Sequence, residues 1–190
     1  MIEHFQYLER VALAIHNGSQ VPPFPHDGDF TLELKGFVEP KERARGKNFY
    51  TPKDTRQYEA YVKNAAIARM RELRMKRIER SVVVHLEVRD QIPSTMPDWK
   101  VKLANARLFF EHTGGDLDNK EKAVLDALNS VVYRDDRLVV QVYKYRCFHP
   151  VAGFNLTITP CGLTKTDLEN IEKLLTALGN GNGSQKARAR

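Results

Sequence analysis

Gly115-Asp116-Leu117-Asp118-Asn119-Lys120-Glu121-Lys122-Ala123-Val124-Leu125-Asp126-Ala127-Leu128-Asn129, followed by Tyr133-Arg134-Asp135-Asp136, decides how this chain is read. At 100° per residue, Val124, Ala127, Leu128 and Val131 share one stripe, which predicts a helix over roughly 117–131 with that stripe buried. Asp118 and Lys122, at i and i+4, point away from it. Asp126 lies on the flank of their face as an exposed helical acid, and Asp116 stands just ahead of the helix. A short turn then brings Asp135-Asp136 and an apolar strand, so the chain can fold back beside the helix start. Carboxylates converging from different elements repel one another unless a cation lies between them, and hard oxygen ligands suit Mg²⁺ or Mn²⁺. In a chain of pI about 9.3, such an acidic pocket is what metal-assisted cleavage of a polyanion requires.

Plainer readings compete at the same residues. Asp118 as N-cap and Glu121 three residues on make an acceptable capping box. Lys122 can simply pair with Asp118 across one helical turn, worth about 0.2–0.5 kcal/mol, or it can orient a water or a phosphate beside the carboxylates. Cys147, His149 and Cys161 match no standard zinc spacing and read as thiols beside a strand.

Outward from the motif, 138–145 and 154–159 read as strands that pair as a hairpin across Arg146–Gly153. Upstream, Phe30 to Val38 alternates as a first strand, and Pro40 to Pro52 is a polar, basic loop. Asp54 or Thr55 caps a long helix to about Glu79. Val82 to Val88 is a second strand, Met96-Pro97-Asp98-Trp99 opens a short helix or turn, and Ala106 to Glu111 reads as a third strand. Phe5, Leu8, Val11, Ala12 and Ile15 predict a helix over 3–16. Asn17-Gly18-Ser19 ends it, and Pro22-Pro23-Phe24-Pro25 forms a stiff linker. Leu168, Ile171, Leu174, Leu175 and Leu178 predict a C-terminal helix, and the Gly/Asn-rich, then basic, segment after it should be disordered. These elements give an α+β fold: a small mixed or antiparallel sheet of four to five strands with helices packed on it. The organisation expected is an N-terminal helical extension and linker over 1–25, one catalytic domain over 26–160, a C-terminal helix over 161–179, and a basic tail over 180–190.

Positive charge is concentrated. Residues 40–56 and 69–80 each carry a net +4, and the tail adds Lys186, Arg188 and Arg190. Basic patches around an acidic pocket suggest a phosphate-backbone ligand, against the alternative of solvated helix faces. There is no apolar run long enough for a membrane span, no signal-peptide pattern and no disulfide framework, so a cytoplasmic protein without membrane or small-molecule cofactor is expected.

Asp116-Leu117-Asp118-Asn119-x-x-Lys122-Ala123-Val124-Leu125-Asp126-Ala127-Leu128-Asn129 with Tyr133-Arg134-Asp135-Asp136 resembles the signature of the RusA family of Holliday-junction resolvases. The likeness extends to Gly36-Phe37-Val38-Glu39-Pro40-Lys41-Glu42-Arg43-Ala44-Arg45, to Tyr50–Glu59, to Pro97-Asp98-Trp99-Lys100 and to His112-Thr113, and covers about residues 30–160. The resemblance implies a RusA-like domain and a homodimeric, Mg²⁺-dependent endonuclease that nicks four-way DNA junctions symmetrically, with Mn²⁺ as a substitute ion. It implies Asp116, Asp118 and Asp136 as metal-binding carboxylates and Lys122 as the essential lysine. Lys41, Arg43, Arg45, Lys53 and Arg56 would then grip backbone phosphates. Three positions depart from the family pattern: Gly114-Gly115 stands for the commoner Lys-Pro, Lys120 for an apolar residue, and Leu138 for a glutamine. Two other readings stay open, a catalytically silent DNA-binding protein and a nuclease for other branched DNA.

Overall fold

Val82, Val84, Leu86 and Val88 alternate with Val83, His85, Glu87 and Arg89, and all four of the even-numbered residues are buried. That period of two builds the central strand of a four-stranded sheet with one apolar face. The computed structural model describes residues 2–22, 28–41, 53–110 and 114–186. In chain order the elements are α1 (Ile2–His16), β1 (Phe30–Lys35), α2 (Lys53–Glu72), β2 (Val82–Gln91), α3 (Asp98–Asn105) and α4 (Leu117–Leu128). A 3₁₀ turn (Asp136–Leu138), β3 (Val139–His149), β4 (Gly153–Pro160) and α5 (Lys165–Lys186) follow. Within the described residues this is an α+β fold with five α-helices, as the sequence implied.

Two compact units are present, Asp27–Pro160 and the terminal pair Met1–His26 with Cys161–Arg190. In the larger unit the strand order is β1-β4-β2-β3. β4 is antiparallel to both β1 and β2, whereas β3 is parallel to β2. The expected hairpin is therefore corrected, because β2 lies between β3 and β4. Its four buried apolar residues are shielded best with a strand on either side. Crossing one strand takes about 10 Å, a distance that the short link Pro150–Ala152 covers. The parallel β2–β3 pair is joined through α3 and α4, the long crossover that parallel strands require.

α2 and α4 cover the apolar face. Val62 and Ala66 of α2, and Val124, Ala127 and Leu128 of α4, share one core with Phe30, Leu32, Val84, Leu86, Val88, Leu156 and Ile158. Burying each Val or Leu there stabilises the fold by roughly 1.5–3 kcal/mol. Two expected elements differ. α2 ends at Glu72, not Glu79, because Arg74 turns into the left-handed region (φ 51°) and the Met75 amide bonds back to Met70 O at 2.9 Å. Ile78 instead bridges to the Tyr133 segment, through Ile78 N to Val132 O at 2.8 Å. No strand forms over 106–110; Arg107 takes φ 56° just after α3, and Leu108 and Phe110 are exposed.

In the terminal unit, α1 and α5 bury Tyr7, Leu8, Val11, Ala12 and Ile171 against each other, with Phe5 and Ile15 left exposed. α5 opens on a reciprocal cap: Thr164 N–H donates to Asp167 at 2.8 Å, and Asp167 N–H donates to the Thr164 hydroxyl oxygen at 3.1 Å. His4 bonds the same carboxylate at 2.8 Å. No described helix is long and apolar enough to cross a membrane.

Candidate active site

Helix α4 begins at Leu117, so Asp116, not Asp118, occupies the N-cap position, and its side chain makes no capping hydrogen bond. Asp118 is the second helical residue and exposed. Neither carboxylate is spent on closing the helix, which removes the capping-box alternative. Both stand at the positive end of the helix dipole, where negative charge is stabilised.

A cation that the sequence reading did not single out meets them. Lys144, from the middle of β3, donates to Asp118 Oδ1 at 2.5 Å and also bonds Glu121. Lys122 is exposed and has no ion-pair partner among the described residues, so the expected pairing with Asp118 is replaced by Lys144. Asp126 is half-buried and holds Lys41, which also reaches Glu59 at 3.2 Å. It is not the free exposed acid that the helical wheel suggests.

Beneath the first turn lies a second charged cluster. Lys120 is fully buried, donates to Asp90 Oδ1 at 3.1 Å and sits 4.5 Å from the centre of the Phe37 ring. Burial pulls its pKa below the ordinary lysine value, with Asp90 opposing the shift and Arg146 adding to it. Arg146 Nε bonds the other Asp90 oxygen, while Nη1 and Nη2 donate to Gly115 O and Gly114 O, each at 2.9 Å.

Asp136 opens the 3₁₀ turn beyond the C-terminal end of α4 and is exposed. Asp135 caps that turn by accepting the Arg137 amide at 3.0 Å, a bond that holds its carboxyl below the ordinary value. Burial holds the Tyr133 hydroxyl above its ordinary pKa, with Asp126 and Asp136 adding to the shift, and the hydroxyl donates to Leu125 O near the end of α4. Among the described residues no three carboxylates, histidines or cysteines lie close enough to hold one metal ion. Asp116 and Asp118 thus offer two hard oxygen donors at one helix start. Cys147 donates instead to Glu87 at 3.4 Å, and burial pushes its thiol up to about 11, which leaves it a poor metal ligand at neutral pH.

Of the predicted DNA contacts, Lys53 and Arg56 are exposed on the first turn of α2, Lys41 is engaged by Asp126 and Glu59, and Arg43 and Arg45 lie outside the described residues. A depression of about 750 Å³ opens on the other face of the sheet, between Thr31, Glu33, His85, Tyr143, Asn155 and Thr157. None of the predicted site residues lines it. Concavity alone does not mark this site; the chemistry gathers on the exposed first turn of α4.

The residues that sequence reasoning missed are Asp90, Lys144 and Arg146. Their signal was present as charge on an apolar face. Asp90 continues the even-numbered positions of β2, Arg146 pairs in register with Val88 and Lys144 with Leu86. Lys120 lies one helical turn before Ala123 and Val124 on the buried stripe.

An α+β domain that presents two uncapped carboxylates and the exposed Lys122 at one helix start fits the class of proteins that act on phosphodiesters. The profile of the endodeoxyribonuclease RusA family matches residues 32–159, and the chain belongs to that family. No curated protein matches the sequence.

Proposed function

We propose that this protein is a junction-resolving endodeoxyribonuclease that cuts four-way DNA by paired, symmetric nicks in recombination and repair. The observation that carries the reading is that Asp116 and Asp118 lie two residues apart at the start of α4 with neither carboxylate engaged in capping. That leaves two hard oxygen donors and the exposed Lys122 at one point of the surface of an endodeoxyribonuclease-family domain. Asp116 and Asp118 would hold a divalent ion, Mg²⁺ or Mn²⁺, with Asp136 assigned as a third ligand on the motif alone. When bound, such an ion supplies charge stabilisation at the scissile phosphate and an activated water.

The chain's own groups account for the rest. Lys122 places a point charge beside the scissile phosphate, where it offsets the negative charge that develops as the bond breaks. Lys53 and Arg56, with Arg43 and Arg45, contact backbone phosphates and so recognise shape more than base sequence. Lys41 ties this basic segment to α4 through Asp126. One site per chain and two nicks per junction call for a two-fold homodimer.

Lys144 on Asp118 favours a second reading, a DNA-binding protein without nuclease activity. Incubating a synthetic four-way junction with the protein, with and without Mg²⁺, separates the two. Metal-dependent nicking supports the proposal, and tight binding without nicking supports the alternative. A panel including flaps and Y-forms distinguishes junctions from other branched DNA.

A further inference from the structure

Two consecutive glycines precede Asp116, and both take left-handed backbone conformations, Gly114 at φ 77° and Gly115 at φ 59°. A β-carbon on Gly115 would lie 2.7 Å from Cβ and Cγ of Pro40, so glycine is required there for contact as well as conformation. A Gly-Gly pair is the most freely jointed segment a chain has. Left to itself, it would let the carboxylate that follows swing.

Arg146 removes that freedom. Its two terminal nitrogens each donate to one glycine carbonyl at 2.9 Å, a fork that fits two adjacent acceptors. Its Nε is fixed by Asp90, and Asp90 is in turn held at 3.1 Å by Lys120, a fully buried residue of the first turn of α4. The contacts close a ring: α4 to β2 through Lys120 and Asp90, β2 to β3 through Asp90 and Arg146, and β3 back to the loop that enters α4. Asp116 stands in that ring between the pinned glycines and the helix.

We propose that Arg146 is a positioning residue, braced by Asp90 and Lys120, that holds Gly114 and Gly115 so that Asp116 presents its carboxylate in one orientation at the start of α4. The functional consequence rests on the endonuclease reading above; the positional claim does not.

The test therefore has one arm without DNA or metal. Amide order parameters of Gly114, Gly115 and Asp116, measured by nitrogen relaxation on the full-length protein, should lie near 0.85 in the wild type and fall below about 0.6 in Arg146→Gln. Arg146→Lys retains a charge for Asp90 but cannot fork to both carbonyls. It should recover the melting temperature while leaving the glycines mobile, and it carries the test if the glutamine variant fails to fold. In the second arm, single-turnover nicking of a four-way junction should slow tenfold or more in either variant, with the junction Kd changed less than threefold. Wild-type order parameters in Arg146→Lys, or in a folded Arg146→Gln, would overturn the positioning claim. Ordered glycines in a wild type that does not nick would overturn the endonuclease reading instead.

Discussion

Lys144 Nζ lies 2.5 Å from Asp118 Oδ1, so an ammonium from β3 stands where an incoming metal ion would need to act. On the proposed assignment, lysine and divalent cation would compete for one carboxylate. Lys144→Met should lower the Mg²⁺ concentration for half-maximal nicking several-fold, because Asp118 is released. The loss of stability should be roughly 1–2 kcal/mol, because the exposed Asp118 contributes little but the half-buried Glu121 loses its cation as well. A metal titration reads this directly; an unchanged Mg²⁺ requirement would place the metal elsewhere.

Lys41 and the pair Lys53–Arg56 should separate stability from binding. Lys41→Met leaves Asp126 and Glu59 without their cation in a half-buried site and should cost roughly 1–2 kcal/mol by denaturant unfolding. Neutralising Lys53 and Arg56 should instead leave stability nearly unchanged. It should flatten the log–log salt dependence of junction binding by about 0.9 for each phosphate no longer neutralised. A salt slope that responds to Lys41 and not to Lys53 and Arg56 would reverse the assignment.

Gly153 marks a point where the fold has no slack. It sits at φ 155° where β4 pairs with Lys35 of β1, and an added β-carbon would lie 2.1 Å from Leu34 O. Gly153→Ala should therefore destabilise the protein by about 3 kcal/mol or more, by forcing the β1–β4 ladder apart. A melting temperature within two or three degrees of wild type would show that this register is wrong.

Asp167 gives the α1–α5 unit an acid limit. Burial raises its pKa, but the bonds from His4 and Thr164 outweigh burial and hold the carboxyl below its ordinary value of 3.8. A carboxyl depressed in the folded state contributes stability above its unfolded pKa and loses that contribution as pH falls through the folded one. Helicity and thermal stability should thus fall below about pH 4. Asp167→Asn should be less stable at pH 7 and lose less on going to pH 3. Equal pH dependence in the two proteins would show that this cap contributes nothing to the acid limit.

The fold class was legible because periodicity survives in single elements: Val82 to Val88 alternates, and Val124, Ala127 and Leu128 repeat every helical turn. Strand order was not. The short Arg146–Gly153 link looks like a hairpin, and only the demand of a doubly flanked β2 separates its two strands. Asp116, Asp118 and Lys122 were legible because they repeat at fixed spacing on the exposed side of one helix. Lys120, Asp90 and Arg146 were hidden for the opposite reason: each is a charge on a face whose neighbours are apolar, and its partner lies on another element. The helix start at Leu117 was legible too, but that Asp116 and not Asp118 is its N-cap depended on backbone geometry that two consecutive glycines leave open.

The most direct test of the central claim is cleavage of a labelled four-way junction by the wild type and by Asp116→Asn, Asp118→Asn and Asp136→Asn, each with and without Mg²⁺. The wild type should produce paired symmetric nicks only with the metal. Each variant should lose cleavage while binding the junction as tightly as wild type or tighter, because repulsion of the phosphate is relieved. Variants that cut at near wild-type rates in Mg²⁺, or a wild type that cuts equally well in chelator, would contradict the assignment of a metal-dependent site at the start of α4.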